Sequence, residues 1–347
     1  MPSSISSSSS RFENQLEQNL SRLNVAGQGI LLAVSGGRDS MALLHGVVRL
    51  REKLQIPHII AGHLNHGLRG EAGGNDAELV RAACMSLGIP AVFSQCDAGE
   101  LEHSSRGSLE DAARTARYDF LQTTAQQHGT PLIATAHHAS DQAETILHNI
   151  IRGTGLRGLR GIPERRKLSD STELIRPMLN IKSDEIYEYI QLHDIIFASD
   201  ETNIDNNFTR NRIRHQLLPM LENDFNPGVQ DSVLRLSEQT QELLASLDAA
   251  AELLLAESVL ERTPDLCKLD VQQLIRHPEP VIRHAFTILW MQQNWPRREM
   301  SSDHWNRLSG LLFRLPPASL DLPGSIRTEL RGNLLAFECR RQSKCDS

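Results

Sequence analysis

The chain has 347 residues and a formal net charge of −7, which is longer than one hydrophobic core usually serves and too acidic for nucleic-acid contact outside local basic patches. Its five cysteines, Cys84, Cys96, Cys267, Cys339 and Cys345, are odd in number and form no C-x-x-C pair. That argues against a disulfide framework and for reduced cytosolic thiols. No apolar run reaches membrane-spanning length, so no membrane partner is expected.

Met1 to Ser10 is Ser-rich without the apolar core of a signal peptide, and Glu13 and Glu17 argue against a transit peptide, so residues 1–11 read as a disordered leader. Phe12, Leu16, Leu20 and Leu23 then recur at helical spacing and predict a short packing helix. An apolar strand, Ile30 to Val34, runs into Ser35-Gly36-Gly37-Arg38-Asp39-Ser40 and a helix-period segment, Met41 to Leu54. Next come a strand from His58 to His63, a helix from Asn75 to Leu87 stopped by Gly88 and Pro90, and a strand from Ala91 to Gln95. Ser108-Leu109-Glu110-Asp111 is a capping-box start for a helix ending near His128. Pro131 to Ala136 is the next strand, and a helix from about Asp141 to Ile151 follows it. Such alternation predicts an α/β domain, residues 12–222, with a parallel sheet covered on both faces and ligands at the carboxyl ends of its strands.

Beyond about Asn223 the pattern changes to long Leu- and Ala-rich segments, Val229 to Leu260 and Val281 to Trp290. A Pro-rich stretch at Pro316 and Pro317 and a strand-like tail, Leu334 to Cys339, close a mainly α-helical domain, residues 223–347. Arg283 to Lys344 holds ten Lys or Arg against five Asp or Glu. In an acidic chain that stretch reads either as a phosphate-backbone surface or as a solvated charged face.

Six motifs carry chemistry. The glycine pair between strand and helix lets the backbone approach an anion, and the N–H groups and dipole of the helix start hold phosphate oxygens. Ser35 and Ser40 add hydroxyls, and Asp39, the one acid of the loop, suits a magnesium ion bridging phosphates. His63-Leu64-Asn65-His66-Gly67-Leu68-Arg69 falls at the same sheet edge. It lacks the spaced Cys or acid of a metal site, so loop positioning or substrate contact fits it better. Glu110, Arg114 and Arg117 share a helix face, either as an exposed ion-pair stripe or as arginines aimed at phosphate. His137-His138-Ala139-Ser140-Asp141-Gln142-Ala143-Glu144 opens a helix on which Asp141 and Glu144 lie three apart and can together receive a cation. Capping by Ser140 or Asp141 is the plainer role. The segment from Arg152 to Lys167 sets six Lys or Arg against Glu164 alone on a Gly-rich backbone, which suits either a phosphodiester chain or a mobile solvated loop. Arg210 and Arg214, one helical turn apart, share a face and could grip a phosphate or an adenylate as a pair.

SGGRDS resembles the PP-loop of enzymes that cleave ATP to AMP and pyrophosphate. The ordered set SGGRDS, HLNHGLRG, LEDAARTARYDFL, HHASDQAET, RGTGLRGLRGI, RPMLNIK and DETNIDNNFTRNRIRHQLLPML is similar to the tRNA(Ile)-lysidine synthetase family over residues 28 to about 222. The resemblance implies a PP-loop domain of the adenine nucleotide alpha hydrolase type followed by a helical tRNA-binding domain. It also implies an activity. The wobble cytidine of a tRNA(Ile) with a CAU anticodon is adenylated at carbon 2 by ATP, and the ε-amine of free L-lysine then displaces AMP. Members usually carry paired aspartates in the fourth motif, where this chain has Ser140 before Asp141. Longer members carry a further C-terminal module, and this chain is expected to stop before or just into it.

Carried onto this sequence, the resemblance makes Ser35, Gly36, Gly37, Arg38, Asp39 and Ser40 the ATP loop, with Asp39 on magnesium. Asp39, Asp141, Glu144 and Arg214 become the catalytic set, and His66, Arg69, Arg114, His138, Arg152, Arg210, Asn211 and Arg214 the contacts to tRNA, lysine or adenylate. The expected location is cytoplasmic, and the sequence leaves a homo-oligomer open. The nearest rival is another PP-loop tRNA enzyme such as a thiolase, whose redox chemistry normally needs the cysteine pair that this chain lacks. A small-molecule PP-loop ligase would leave the basic segment without a purpose. A non-catalytic RNA-binding protein would not need Asp39 and Ser40.

Overall fold

The computed structural model describes residues 5–65, 71–96, 109–198, 209–297, 299–314 and 317–339. The chain divides into two compact units, Met1–Glu238 and Gln239–Ser347. In the first, α1 (Ile5–Arg22) leads to β1 (Ile30–Ala33), α2 (Arg38–Leu50), β2 (Ile59–Asn65), α3 (Glu71–Leu87) and β3 (Ala91–Gln95). Then come α4 (Leu109–Gln127), β4 (Leu132–Ala134), α5 (Ala139–Ile151), a single turn α6 (Leu156–Leu159), β5 (Arg165–Lys167), β6 (Glu173–Ile175) and α7 (Ser183–Leu192). Helix α8 (Thr209–Arg212) runs through one π-helical turn, Ile213–Leu217, into α9 (Leu218–Asp224).

The strands form one sheet in the order β3-β2-β1-β4-β6-β5, parallel except for β5, which pairs antiparallel with β6. Ile30 of β1 is in register with Ile59 of β2 on one side and Leu132 of β4 on the other. Because every strand next to β1 is buried on both faces, side chains alternate between two cores. Ile30, Leu32, Ile59, Ala61, Leu132 and Ala134 join the core formed with α1, α2 and α7. Leu31, Ile60, Ile133 and Leu174 meet Leu121 and Ala125 of α4 on the other face. This period of two with both faces apolar is the signature of a parallel sheet. Phe12, Leu16 and Leu20 of α1 and Leu23 in the turn after it are all in the first core, where Phe12 stacks on Tyr189 of α7 with ring centroids 4.2 Å apart. Each such side chain contributes about 1.5–3 kcal/mol by burial.

After β1 the chain steps outward through β2 to β3 and then returns to place β4 on the other side of β1. The strand order therefore reverses between β1 and β4, and a crevice opens beyond their carboxyl ends, which is where open α/β sheets bind ligands.

Several expectations are corrected. Of the leader, residues 1–4 lie outside the described residues, and from Ile5 the chain is helix. Helix α2 starts at Arg38 rather than Met41, since extended Gly37 caps it, so Asp39 and Ser40 occupy its first turn. The basic segment is not a free loop: it contains α6 and ends in β5, whose Arg165 is ion-paired with Glu173 and Lys167 with Asp170 at 2.8 Å. Three-residue strands such as β5 and β6 are too short to show periodicity.

The second unit has the expected helices and adds a sheet of which the sequence showed only the tail strand. The long helix α10 (Val229–Ser258), which begins in the first unit, leads to β7 (Val259–Arg262), β8 (Leu266–Asp270), the single turn α11 (Val271–Leu274), α12 (Glu279–Gln292) and α13 (Ser302–Leu311). Strands β9 (Ala318–Leu322), β10 (Ile326–Arg331) and β11 (Leu334–Cys339) complete a five-stranded antiparallel sheet in the order β7-β8-β11-β10-β9. The expected tail strand is its central member. The others carry little sequence signal, because an antiparallel sheet with one wet face alternates apolar with polar residues over only four to six positions, as in Ile326-Arg327-Thr328-Glu329-Leu330. Trp290, Phe286 and Phe337 centre the core of this unit.

Candidate functional site

The strand end at Val34 opens into the Ser-Gly-Gly loop. Gly36 has φ +93°, a left-handed conformation that favours glycine. Its carbonyl accepts from the N–H of Ala198 at 2.9 Å, and Gly37 pairs with Ala198, so the loop is held from outside as well as by its own bonds. Within it Ser40 Oγ donates to Gly37 O at 2.8 Å and lies 3.1 Å from Ser35 Oγ, and the N–H of Gly37 donates to Ser35 Oγ at 3.3 Å. No side chain caps the start of α2. The first N–H groups of that helix and its dipole are thus left for an anion, the arrangement that binds phosphate.

The strand end at Ala134 leads to the fourth motif. His138 is the N-cap of α5: its Nδ1 accepts from Ser140 N at 3.3 Å, and its own N–H donates to Asp141 Oδ2 at 3.0 Å. His138 Nε2 stands 3.5 Å from Asp39 Oδ2 and 3.7 Å from Asp141 Oδ2. One imidazole therefore links the acid of the phosphate loop to Asp141 of α5. Arg38 donates to Asp39 Oδ1 at 2.9 Å and to Ser183 Oγ at 2.7 Å.

Arg210 and Arg214 reach the acids from the other side. Arg210 donates from Nε to Glu144 Oε2 at 3.1 Å and from Nη2 to Asp141 Oδ1 at 3.4 Å. Arg214 donates from Nε to Glu144 Oε1 at 2.5 Å and from Nη2 to Asp141 Oδ1 at 3.0 Å. The Glu144 side chain is only 1 % exposed, and a buried carboxylate is tolerated only when paired in this way. A pocket of about 280 Å³ is lined by Arg38, Asp39, His138, Glu144, Ser183 and Arg214, among others.

The charges are mutually supporting. Burial alone would raise the Asp39 and Asp141 carboxyls. The hydrogen bond and charge of His138 outweigh it at Asp39, and the charges of His138 and His137 outweigh it at Asp141, so both are held below the usual range. Burial alone would lower His138, but the bond to Asp39 and the charges of Asp141 and Asp39 raise it above 6.5. The adjacent His137 is driven by burial down to about 4, so it is neutral near pH 7 and charged only in the acid range where Asp141 titrates, and Thr135 Oγ1 lies 2.9 Å from its Nδ1.

Other predicted residues fall elsewhere. His66 and Arg69 lie outside the described residues. Arg114 is exposed on α4, its guanidinium 5.3 Å from the centroid of the Tyr118 ring. Arg152 is the exposed C-cap of α5, and Asn211 is half-buried in α8. His63 is a buried core histidine, with Nδ1 2.9 Å from Val34 O. Ser140 Oγ donates to Gln230 at 3.4 Å. No motif marks Ser183, the partner of Arg38, and the fourth motif contains Gln142 without any local signal of its role.

Among the described residues no three His, Cys, Asp or Glu side chains assemble as a metal site. Asp39, about a third exposed, still fits a magnesium ion that takes most of its oxygens from phosphates and water.

A phosphate loop at the switch point of a parallel sheet, with an acid in the first turn of its helix, defines an α/β nucleotide-binding protein of the PP-loop class. The family model described as PP-loop domain matches residues 8–221. The chain belongs to the tRNA(Ile)-lysidine synthase family: it is 36 % identical over 337 residues to the tRNA(Ile)-lysidine synthase of Chlorobaculum tepidum, an alignment covering 94 % of this chain and 96 % of that one. The enzyme of that name from Thermotoga sp. is 42 % identical over 214 residues, which is 62 % of this chain and 50 % of the relative. The chain thus spans about half the length of some curated relatives it matches. Among solved structures, the U34-tRNA thiolase NcsA from Methanococcus maripaludis shares the fold, with a TM-score of 0.56 over 67 % of this chain and 79 % of that one, at 18 % identity.

Proposed function

We propose that the protein joins free L-lysine to carbon 2 of the wobble cytidine of a tRNA(Ile) with a CAU anticodon, consuming ATP and releasing AMP and pyrophosphate. The observation that carries this reading is a pocket lined by both Asp39 of the phosphate loop and the buried Glu144, beside which His138 bridges Asp39 to Asp141. Membership of the lysidine synthase family supports it, whereas the thiolase likeness is one of fold alone.

The chemistry has two steps. The 2-oxo oxygen of cytosine attacks the α-phosphorus of ATP, forming an O–P bond as the bond to pyrophosphate breaks. The ε-amine of lysine then attacks carbon 2, the C–O bond breaks and AMP leaves. The loop N–H groups and Ser35 and Ser40 hold phosphate, and Asp39 would hold a magnesium ion, whose charge would offset that of the departing pyrophosphate. Asp141 and Glu144 receive the ammonium groups of lysine, and one of them accepts the proton that the ε-amine loses. Arg210 and Arg214, already aimed into the site, take the adenylate phosphate. The basic segment from Arg152 and the second unit hold the RNA by its phosphates. Such an enzyme works where tRNA, ATP and free lysine meet, in the cytoplasm, and among the described residues no helix is long and apolar enough to cross a membrane.

The test is to incubate the protein with ATP, radiolabelled lysine and bulk tRNA. Label should enter tRNA only when ATP is present, and Asp141→Asn and Glu144→Gln should raise the lysine concentration needed more than the ATP concentration. ATP-dependent turnover without label in tRNA would overturn the reading.

A further inference from the structure

Gln142 lies on α5 between the two acids and shares none of their contacts. It is 3 % exposed, and its amide is occupied by the basic segment. Oε1 accepts from the backbone N–H of Ile162 at 2.6 Å. Nε2 donates to the carbonyl oxygens of Arg160 at 3.2 Å and Ile162 at 3.3 Å, and to Ser237 Oγ at 3.2 Å. Ser237, itself 1 % exposed, donates to Arg160 O at 2.7 Å. Two turns further along the same face of α5, Asn149 Nδ2 donates to Gly158 O at 2.9 Å.

The backbone of the segment is shaped around this amide. Gly161 has φ +67°, and a Cβ there would stand 2.4 Å from Gln142 Oε1. A primary amide presents one acceptor and one donor group, as the Ile162 peptide does, so the two pair reciprocally. A carboxylate of the same length could still accept from the Ile162 N–H with one oxygen, but would turn its other oxygen, an acceptor, toward the carbonyl oxygens of Arg160 and Ile162. Positions 142 and 149 face the segment, while Asp141 and Glu144, three apart, face the arginines. Helix α5 is thus one rigid element between the basic segment and the acid pair.

We propose that Gln142 is a positioning residue: it fixes the basic segment Arg152–Lys167 to the helix carrying Asp141 and Glu144, so that RNA held on the segment sets where the two carboxylates stand. This rests on the reading of the segment as an RNA-facing surface. A satisfied, buried polar network of this kind specifies one arrangement, and a half-satisfied one loosens it.

The test compares full-length Gln142→Glu and Ser237→Ala with the unaltered protein for ATP affinity, tRNA affinity and AMP release at saturating tRNA and lysine. Gln142→Glu should keep its ATP affinity and lose about tenfold to a hundredfold in AMP release at saturating tRNA, the scale of a small misplacement of reacting groups. Ser237→Ala, which removes one of the two bonds to Arg160 O, should show the same split at smaller amplitude, and it carries the comparison alone if Gln142→Glu does not fold. AMP release unchanged at saturating tRNA, whatever the tRNA affinity, overturns the proposal, because the amide then holds the segment without positioning the acids. ATP affinity falling in step with turnover also overturns it, because Gln142 then only supports the fold. An unaltered protein that releases no AMP with any tRNA would instead sink the functional reading, and this proposal with it.

Discussion

Glu144, buried at the second turn of α5, accepts from Arg214 across seventy residues of chain at 2.5 Å, and the same guanidinium reaches Asp141 at 3.0 Å. The two arginines therefore satisfy both acids before any substrate arrives. On the proposed function, a lysine ammonium would have to compete with them, and an adenylate phosphate that drew the guanidinium groups away would make room for it.

The Arg214–Glu144 contact is shorter than that of Arg210, so its loss should matter more. A double-mutant cycle of Glu144→Gln with Arg214→Ala should return a coupling of about 0.5–3 kcal/mol in urea unfolding, larger than the cycle with Arg210→Ala. Breaking a pair around a buried carboxylate leaves charge uncompensated. A coupling indistinguishable from zero would show that Arg210 alone holds the carboxylate.

Asp39→Asn keeps the shape of the loop and removes its charge. With the side chain about a third exposed, the thermal midpoint should change little, while tRNA-dependent AMP release should fall by at least about a hundredfold, as when a charge-stabilising group is lost. Near-normal AMP release would remove Asp39 from the proposed machinery.

A fragment of residues 1–238 should bind ATP as the whole chain does and lose much of its tRNA affinity. Its remaining binding, through the basic segment, should weaken steeply with salt because it rests on phosphate contacts. A cut at residue 222 would in addition remove Gln230 and Ser237, the partners of Ser140 and Gln142. Binding measured at two salt concentrations checks this, and equal tRNA affinity in fragment and full chain would exclude the second unit as a tRNA-binding element.

Burial drives His137 from 6.5 to about 4, against the upward pull of Asp141. Between those values the unfolded chain binds a proton that the folded chain refuses, so the contribution of His137 to stability is fully present above 6.5 and is lost as pH falls through that window. Urea midpoints measured at both ends should fall more in the unaltered protein than in His137→Asn. Equal falls would mean that the fold does not enforce a neutral imidazole.

The sequence by itself determined what is local. Alternating strand and helix periods specify the parallel sheet, a Gly pair between strand and helix specifies the anion loop, and a three-residue spacing puts Asp141 and Glu144 on one helix face. Each is a matter of neighbours along the chain. Tertiary structure alone decided that β4 lies beside β1, which brings two loops more than ninety residues apart to one crevice. It also decided that the arginines, 66 to 73 residues from the acids, neutralise them, and that Gln142 turns away to clamp the basic segment. The short strands of the second unit emerge only through pairing with one another. Such contacts depend on which surfaces the folded chain buries together, and no periodicity in a single segment encodes its partner.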